Sequence, residues 1–114
     1  GLTFKENCPD TRNSKAFQIA RSLLKYEVDL SLVDPWLQKD TVPDDLQSYV
    51  VPVEAIHDAD TLVIAVQHKV FQEFSLDQLS HFYKADQRPK VLIDVKGIYE
   101  RPAMEAAGFL YWSL

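Results

Sequence analysis

Glycine and cysteine are scarce in this sequence, and each shortage argues against a class of site. The 114 residues include three glycines, and none of them lies between Lys5 and Ser14, where a strand is predicted to turn into a helix. A dinucleotide-binding turn has the pattern G-x-G-x-x-G because its backbone must approach a pyrophosphate. The one cysteine, Cys8, excludes an internal disulfide and a metal site built from a cysteine cluster. We expect no dinucleotide-binding turn here, and a reducing, cytoplasmic environment.

Positive charge and long apolar runs are also lacking. The formal net charge of −5 argues against nonspecific binding to nucleic acid or to a membrane surface, because both need a broad positive field. No run approaches the roughly 20 apolar residues of a membrane-spanning helix. With 46% hydrophobic and 25% charged residues, the composition predicts one globular domain, residues 1–114, with a sizeable core. Any phosphate ligand would have to be held by a local cluster of cations.

The spacing of apolar residues predicts alternating strands and helices. Three segments have helical spacing. The first begins after Asn13, and the second, at 74–83, has Ser75 near its start; both residues are predicted N-caps. The third, at 101–107, is predicted to stop at Gly108. Strands are predicted at 2–4, 28–33, 49–53, 61–66, 90–95 and 108–114. We therefore predict an α/β fold, a Rossmann-like three-layer domain with an open, mainly parallel sheet of about five or six strands.

The predicted topology brings together polar residues that lie far apart in the sequence. With the strand order that is usual for this fold, the strand at 2–4 lies beside 61–66, and 90–95 lies one position further out. Lys5, the Gln67-His68 pair and Lys96 then lie along one carboxyl edge, where open α/β sheets bind their ligands. Because no glycine lets the backbone approach a phosphate, we expect the side chains of Lys5 and Lys96 to hold it.

The cations at this edge also have structural interpretations. Lys5 and Lys96 could be ordinary solvated lysines, since lysines are mostly exposed. Arg12 could pair with Asp10 or Glu6 and fix the turn, a role that is compatible with ligand binding. The positions of the two lysines, directly after predicted strands, favour the binding role.

Other polar residues are interpreted mainly as structural. Cys8 lies near a helix N-terminus, where the pKa of a thiol falls, but we interpret it as a small, partly buried turn residue. The three histidines lack the spacing of metal ligands, so no metal site is expected. His68 alone follows a central strand, where it could contact a ligand or a domain interface. Asp34 is predicted to cap its turn, and Asp94 to order the turn that carries Lys96.

Five ordered blocks carry a family resemblance that covers the whole chain. They are G-L-T-F-K-E-N-C-P-D-T-R-N-S at 1–14, V-D-P at 33–35, A-D-T-L-V-I-A-V-Q-H-K-V-F at 59–71, I-D-V-K-G-I-Y at 93–99 and Y-W-S-L at 111–114. Together they resemble the C-terminal, UDP-binding domain of the UDP-glucose/GDP-mannose dehydrogenase family. The N-C-P-D turn, D-V-K-G and Y-W-x-L are most similar to the branch that oxidises UDP-N-acetylhexosamines to uronic acids.

This resemblance implies an oxidoreductase at full length. Members of the family are NAD-dependent and oxidise the sugar C6 alcohol to a carboxylate in two hydride transfers, through a cysteine-bound thiohemiacetal and thioester. They have an N-terminal NAD-binding Rossmann domain and a central helical region before a domain like this one. We therefore expect an excised C-terminal domain that lacks the catalytic cysteine and is inactive alone. The full-length protein is expected to be a homo-oligomer.

Matched residue by residue, the resemblance implies binding roles for four positions. The family's phenylalanine-lysine pair falls on Phe4 and Lys5, which would contact the UDP-sugar, and Arg12 would reach NAD held by the N-terminal domain. Lys96, also a substrate-binding residue by this match, stands where UDP-glucose dehydrogenases have an arginine. A lysine cannot make arginine's planar bidentate contact with phosphate, which favours the N-acetylhexosamine branch.

Three alternatives remain open from the sequence. The substrate could instead be UDP-glucose or GDP-mannose. The chain could be a stand-alone nucleotide-binding or regulatory module without catalytic partners. It could also be a purely structural interaction domain, which would have no affinity for nucleotides.

Overall fold

A computed structural model describes residues 15–36, 39–86 and 88–113 of the chain. Within these ranges the regular elements are four α-helices, three strands and three short 3-10 helices. The helices are α1 (Lys15–Leu24), α2 (Lys69–Gln72), α3 (Leu76–His81) and α4 (Arg101–Ala106), and the strands are β1 (Thr61–Ile64), β2 (Lys90–Asp94) and β3 (Phe109–Ser113). The 3-10 helices are Lys39–Thr41, Gln47–Tyr49 and Val53–Ala55. No helix in the described ranges has the length and apolar character needed to cross a membrane.

The three strands form one parallel sheet in the order β1-β2-β3. The apolar runs of β1 and β2 suit strands that are covered on both faces, whereas β3 alternates and leaves Leu110 and Trp112 exposed. The register aligns Ile64 of β1 with Asp94 of β2, and Asp94 with Ser113 of β3, so all three strands end at the same level. The predicted strands at 61–66, 90–95 and 108–114 are therefore confirmed, and so is the predicted neighbourhood of the first two.

The sheet and helices α2, α3 and α4 share one hydrophobic core, which we call the sheet core. Leu92 in the central strand is 0% exposed, and Tyr83 and Phe109 meet edge to face with ring centroids 5.9 Å apart. The short helices contribute one buried side chain each, which is the inward-facing residue of a single turn. The buried members of the sheet core are Ile64, Phe71, Leu79, Tyr83, Leu92, Met104, Phe109 and Tyr111.

Helix α1 belongs to a second cluster, which we call the α1 core. Ala16, Phe17 and Ala20 lie on one face of α1, as their helical spacing requires, and they are buried. They pack with three residues from the following irregular segment, namely Leu32, Val42 and Leu46. Ala65, the residue after β1, packs against this cluster and so connects it to the sheet.

The prediction of five or six strands is wrong for the residues that the structure describes. The segments 28–33 and 49–53 are not strands, and they meet only in an isolated parallel bridge between Leu32 and Val50. Pro52 has no N–H to donate to a ladder, and 3-10 helices at Gln47–Tyr49 and Val53–Ala55 interrupt the extended backbone on both sides of the bridge. The predicted strand at 2–4 and the predicted cap Asn13 lie outside the described residues.

The helix boundaries follow local sequence signals. Ser75 is the N-cap of α3: its hydroxyl accepts the Gln78 N–H at 3.1 Å, and the Gln78 side chain accepts the Ser75 N–H at 2.8 Å. This capping box confirms the predicted cap. Helix α4 is followed by Gly108 at φ +92°, which confirms the predicted glycine stop. Helix α2 was not predicted, because a helix of one turn has too few residues to show a period.

Candidate functional site

The carboxyl edge of the sheet collects polar groups from different parts of the chain. Strand β2 ends at Asp94 and is followed by Lys96, while β1 is followed by Gln67 and His68. The Val95 N–H donates to the carbonyl of Ile64 at 2.9 Å, which holds the turn after β2 against the end of β1. The predicted convergence of the segments after these two strands is thus present.

Asp94 is the buried base of this edge. Its side chain is 0% exposed, and Oδ2 accepts the Tyr99 N–H at 3.0 Å and the Tyr111 hydroxyl at 2.5 Å. The Tyr111 oxygen also lies 3.1 Å from the Tyr99 carbonyl. Asp94 Oδ1 is buried and has no hydrogen-bond partner among the described residues. One carboxylate therefore joins the end of β2, the backbone at Tyr99 and the last strand.

Residues 94–99, which we call the Lys96 loop, are tied down at both ends. At the start, the Gly97 N–H reaches the Asp94 carbonyl at 3.3 Å, and Gly97 has a φ of +67°, a conformation that glycine adopts without strain. At the end, the Tyr99 hydroxyl donates to the Phe71 carbonyl at 2.5 Å. The loop is thus fixed against both the sheet and helix α2.

The Lys96 side chain lies exposed on this anchored loop. In the described ranges it forms no ion pair and no side-chain hydrogen bond, unlike several other cations. Arg21 pairs with Asp45, for example, and Lys84 pairs with Asp60. An ammonium group that is not neutralised by a neighbour, at the ligand-binding edge of an α/β sheet, is available to an anion.

The tyrosines around Asp94 remain hydrogen-bond donors at physiological pH. Burial, followed by the hydrogen bond to the Asp94 carboxylate, raises the pKa of Tyr111 to about 12. Burial, then the nearby charges of Asp94 and Tyr111, raises the pKa of Tyr99 well above its usual range. Because both phenols stay protonated, the bonds that anchor the loop persist across the physiological range.

A second buried polar contact joins the segment after β1 to the irregular segment after α1. His68 Nε2 lies 2.9 Å from Asp34 Oδ2, and both side chains are 0% exposed. Asp34 Oδ1 also accepts the Trp36 N–H at 2.8 Å, which confirms its predicted role in the turn. The burial of His68 places this residue inside the protein rather than on its surface. The pairing was missed, although both residues lie within two positions of the end of a segment that was predicted as a strand.

The other predicted site residues, Phe4, Lys5 and Arg12, lie outside the described residues, and so does Cys8. The structure therefore places only Lys96 among the four predicted binding residues. The ranges that it does describe contain no group of three or more His, Cys, Asp or Glu side chains that could hold a metal ion.

The residues of this chain do not fit NAD as a resident cofactor. Its three glycines are Gly1, Gly97 and Gly108, so they cannot form the G-x-G-x-x-G turn that receives a pyrophosphate. Gly97 and Gly108 have structural tasks instead, since both have positive φ in turns that follow β2 and α4. What the described edge offers an anion is a side-chain cation, Lys96.

Comparisons with known proteins agree with this description of the chain. The model of the UDP-glucose/GDP-mannose dehydrogenase family, UDP binding domain, matches residues 1–101. A UDP-N-acetyl-D-glucosamine 6-dehydrogenase of Pseudomonas aeruginosa is 37% identical over 99 residues, which are 84% of this chain and 22% of that enzyme. The Salmonella typhi enzyme of the same name is 32% identical over 108 residues, which are 93% of this chain and 24% of that enzyme.

A solved structure has the same fold. It is the crystal structure of an NDP-N-acetyl-D-galactosaminuronic acid dehydrogenase from Methanosarcina mazei Go1, with a TM-score of 0.81 and 22% identity, covering 99% of this chain and 23% of that one. The chain spans only 22–24% of the length of the two enzymes above. Because the family model matches most of its residues, the chain belongs to the UDP-glucose/GDP-mannose dehydrogenase family and corresponds to the family's UDP-binding domain.

Proposed function

We propose that this chain is the UDP-sugar-binding domain of an NAD-dependent nucleotide-sugar 6-dehydrogenase. The full-length enzyme oxidises the C6 alcohol of a UDP-N-acetylhexosamine to a uronic acid, as a precursor for polysaccharide synthesis. The observation that carries the proposal is the exposed Lys96 ammonium, which has no described partner and lies on a loop anchored by buried Asp94. Two similar enzymes named for UDP-N-acetyl-D-glucosamine support this class of substrate.

In this proposal the domain supplies the nucleotide side of a cleft. Lys96 neutralises the diphosphate together with Lys5, while Phe4 contacts the UDP-sugar. A lysine offers a compact charge with rotatable donors, so it binds phosphate oxygens without demanding the fixed fork geometry of arginine. Binding energy from the nonreacting UDP then holds the sugar in place, which lowers the entropic barrier to the reaction at C6.

The cofactor belongs to another domain in this proposal. NAD accepts hydride from the substrate, and an N-terminal NAD-binding domain of the same polypeptide holds it, with a central helical region in between. This chain would contribute only Arg12 toward NAD, and it would be inactive alone. We place the complete enzyme in the cytoplasm as a homo-oligomer.

Calorimetric titration with UDP tests the proposal. The titration is done at low salt, because salt ions screen the attraction between a lysine and a phosphate and so weaken binding. Lys96→Ala should weaken UDP binding by roughly 10- to 100-fold, the usual loss when a hydrogen bond to a charged group is removed. Lys90→Ala is the matched control, since Lys90 begins the same strand and therefore lies at the opposite edge of the sheet. It should leave the affinity within about twofold of the starting value, as expected for a lysine distant from the ligand.

GDP and NAD serve as competing ligands in the same titration. Selective binding of UDP supports the nucleotide assignment, whereas preference for GDP would point to a GDP-mannose enzyme. If the isolated chain binds nothing, the titration is repeated on the full-length protein, where the other domain completes the cleft. Equal losses for Lys96→Ala and Lys90→Ala, or no UDP binding at full length, would refute the proposal.

A further inference from the structure

We infer that Tyr111 and Asp94 are positioning residues, which set the place of the Lys96 ammonium without touching the ligand themselves. This inference rests on the proposed role of Lys96 in binding UDP. It assigns a part in ligand binding to the last strand, whose residues carry no sequence signal for contact with a nucleotide. Tyr111 acts through the Asp94 carboxylate, and Asp94 acts through the backbone of the Lys96 loop.

The connection is short and made of direct contacts. The Tyr111 hydroxyl meets Asp94 Oδ2 at 2.5 Å, and the same oxygen receives the Tyr99 N–H at 3.0 Å. Tyr111 also lies within 3.1 Å of the Tyr99 carbonyl, so it contacts both groups that close the loop. Lys96 lies within the six-residue segment that begins at Asp94 and ends at Tyr99. A shift of either anchor must therefore move the backbone from which the Lys96 side chain extends.

The burial of Asp94 argues that this contact serves more than stability. A carboxylate that is 0% exposed loses its hydration, and Oδ1 recovers no hydrogen bond from the described residues. Such a group usually costs free energy compared with an apolar side chain of similar size. The buried Asp94 carboxylate is explained if it defines the shape of the Lys96 loop, because few backbone arrangements place donors correctly around a buried acceptor.

Tyr111 is well placed to fix this carboxylate. Its ring is buried in the sheet core, and the Arg101 guanidinium lies over it, 5.2 Å from the ring centroid. The Arg101 side chain also donates to the Tyr111 carbonyl at 3.0 Å. The ring is thus held by its own strand, by the side chains of the sheet core and by Arg101 of helix α4. A group held in this way can keep a binding residue within the narrow tolerance that ligand contacts require.

A double-mutant cycle on the full-length protein, with UDP as the probe, tests the inference. Tyr111→Phe removes the hydroxyl and keeps the ring. It should weaken UDP binding by roughly 3- to 10-fold, less than Lys96→Ala does, because the ammonium is displaced and not removed. In a Lys96→Ala background the same change should cause no further loss. Two changes that act through one ammonium group are not additive, whereas independent ones are.

Tyr83→Phe is the matched control for lost stability. Tyr83 is also part of the sheet core, and its hydroxyl donates to the Val91 carbonyl at 2.6 Å, near the start of β2 and not to the Lys96 loop that follows the end of this strand. This variant should be destabilised to a similar extent in urea and should still bind UDP with unchanged affinity. A purely structural role for Tyr111 would make the two tyrosine variants behave alike.

Each possible result decides one of the two claims. Unchanged affinity in Tyr111→Phe would overturn the inference, and so would a loss of the same size in the Lys96→Ala background. An equal loss in Tyr83→Phe would overturn it as well. If Lys96→Ala itself binds UDP normally, the proposed function fails first, and the positioning role fails with it.

Discussion

Residues 61–113 and residues 15–56 build regions of different regularity in one small protein. The first has three parallel strands with helices between them, whereas the second has one helix, three 3-10 helices and a single bridge. Pro35, Pro43 and Pro52 fall in the second region, where they remove N–H donors and limit extended pairing. Both regions bury apolar side chains in a hydrophobic cluster. Their difference lies in how the backbone satisfies its hydrogen bonds.

This difference bears on where a binding residue can be held accurately. The Lys96 loop extends from β2, which is paired on both sides, and it is closed by contacts to β3 and α2. A side chain that extends from such a frame varies little in position, which suits a contact with a phosphate. The irregular region offers no comparable frame within its described residues. It contacts the sheet region through Ala65, which packs against the α1 core, and through the buried Asp34–His68 contact.

The largest expected effect comes from opening a cavity in each region. Leu92 and Leu46 are both 0% exposed, so truncation to alanine removes the same atoms from both cores. Leu92→Ala should cost about 3–5 kcal/mol of unfolding free energy, and Leu46→Ala about 2–3 kcal/mol, within the range known for such changes. The loss should be larger at Leu92, because a strand that is paired on both sides cannot move into the cavity. Urea denaturation of the two variants measures both values.

The comparison has a clear opposite outcome. If Leu46→Ala costs as much unfolding free energy as Leu92→Ala or more, the residues around Leu46 are no more able to move into the cavity than the residues around Leu92. The slope of unfolding free energy against urea must stay the same in both variants, since a changed slope would indicate a different unfolded or native state.

A smaller effect should appear at alkaline pH and come from Tyr111 in the sheet region. Tyr111 has a pKa of about 12 in the folded protein against 10.0 as a reference, so it favours the folded state fully below pH 10. Above pH 10 the unfolded chain loses this proton while the folded protein keeps it. Stability should therefore fall as pH rises from about 10 to about 12.

Tyr111→Phe isolates this contribution. Unfolding free energies of the two proteins are measured in urea between about pH 9 and pH 12. They should decline less steeply with pH in the variant, and the difference in slope should correspond to about one proton released on unfolding. The other ionisable groups are the same in both proteins, so their contributions cancel in the comparison. Parallel curves would show that the Tyr111 proton is not held more tightly in the folded state.

The regular region was largely predictable from the sequence, and the reason is local. The continuous apolar run at 61–66 and the apolar residues within 90–95 identified buried strands, and the position of Lys96 at the carboxyl edge followed from them. The alternating pattern at 28–33 predicted a strand wrongly. It reflects the burial of Leu32, but a strand also needs a partner that can continue the ladder, and the 49–53 segment cannot.

Contacts between distant residues were the least predictable part of the site. Nothing in the spacing of Asp34 and His68 indicates that they meet, because their contact depends on the packing of two segments against each other. The same holds for Asp94 and Tyr111, which approach only once β2 and β3 are paired. The binding roles of Phe4, Lys5 and Arg12 stay predictions.

The smallest expected effect tests a local signal in the sheet region. Ser75→Ala removes the hydroxyl that accepts the Gln78 N–H at the start of α3, and it should cost about 1 kcal/mol, the usual value for an N-cap. Gln78→Ala removes the other half of the capping box and should cost less, because the Ser75 N–H is exposed and can bind water instead. Urea denaturation of both variants measures which of the two loses more unfolding free energy. Helix α3 carries Leu79 into the sheet core, so a loss well above that of a cap would mean that the whole helix, and not its first turn alone, depends on Ser75.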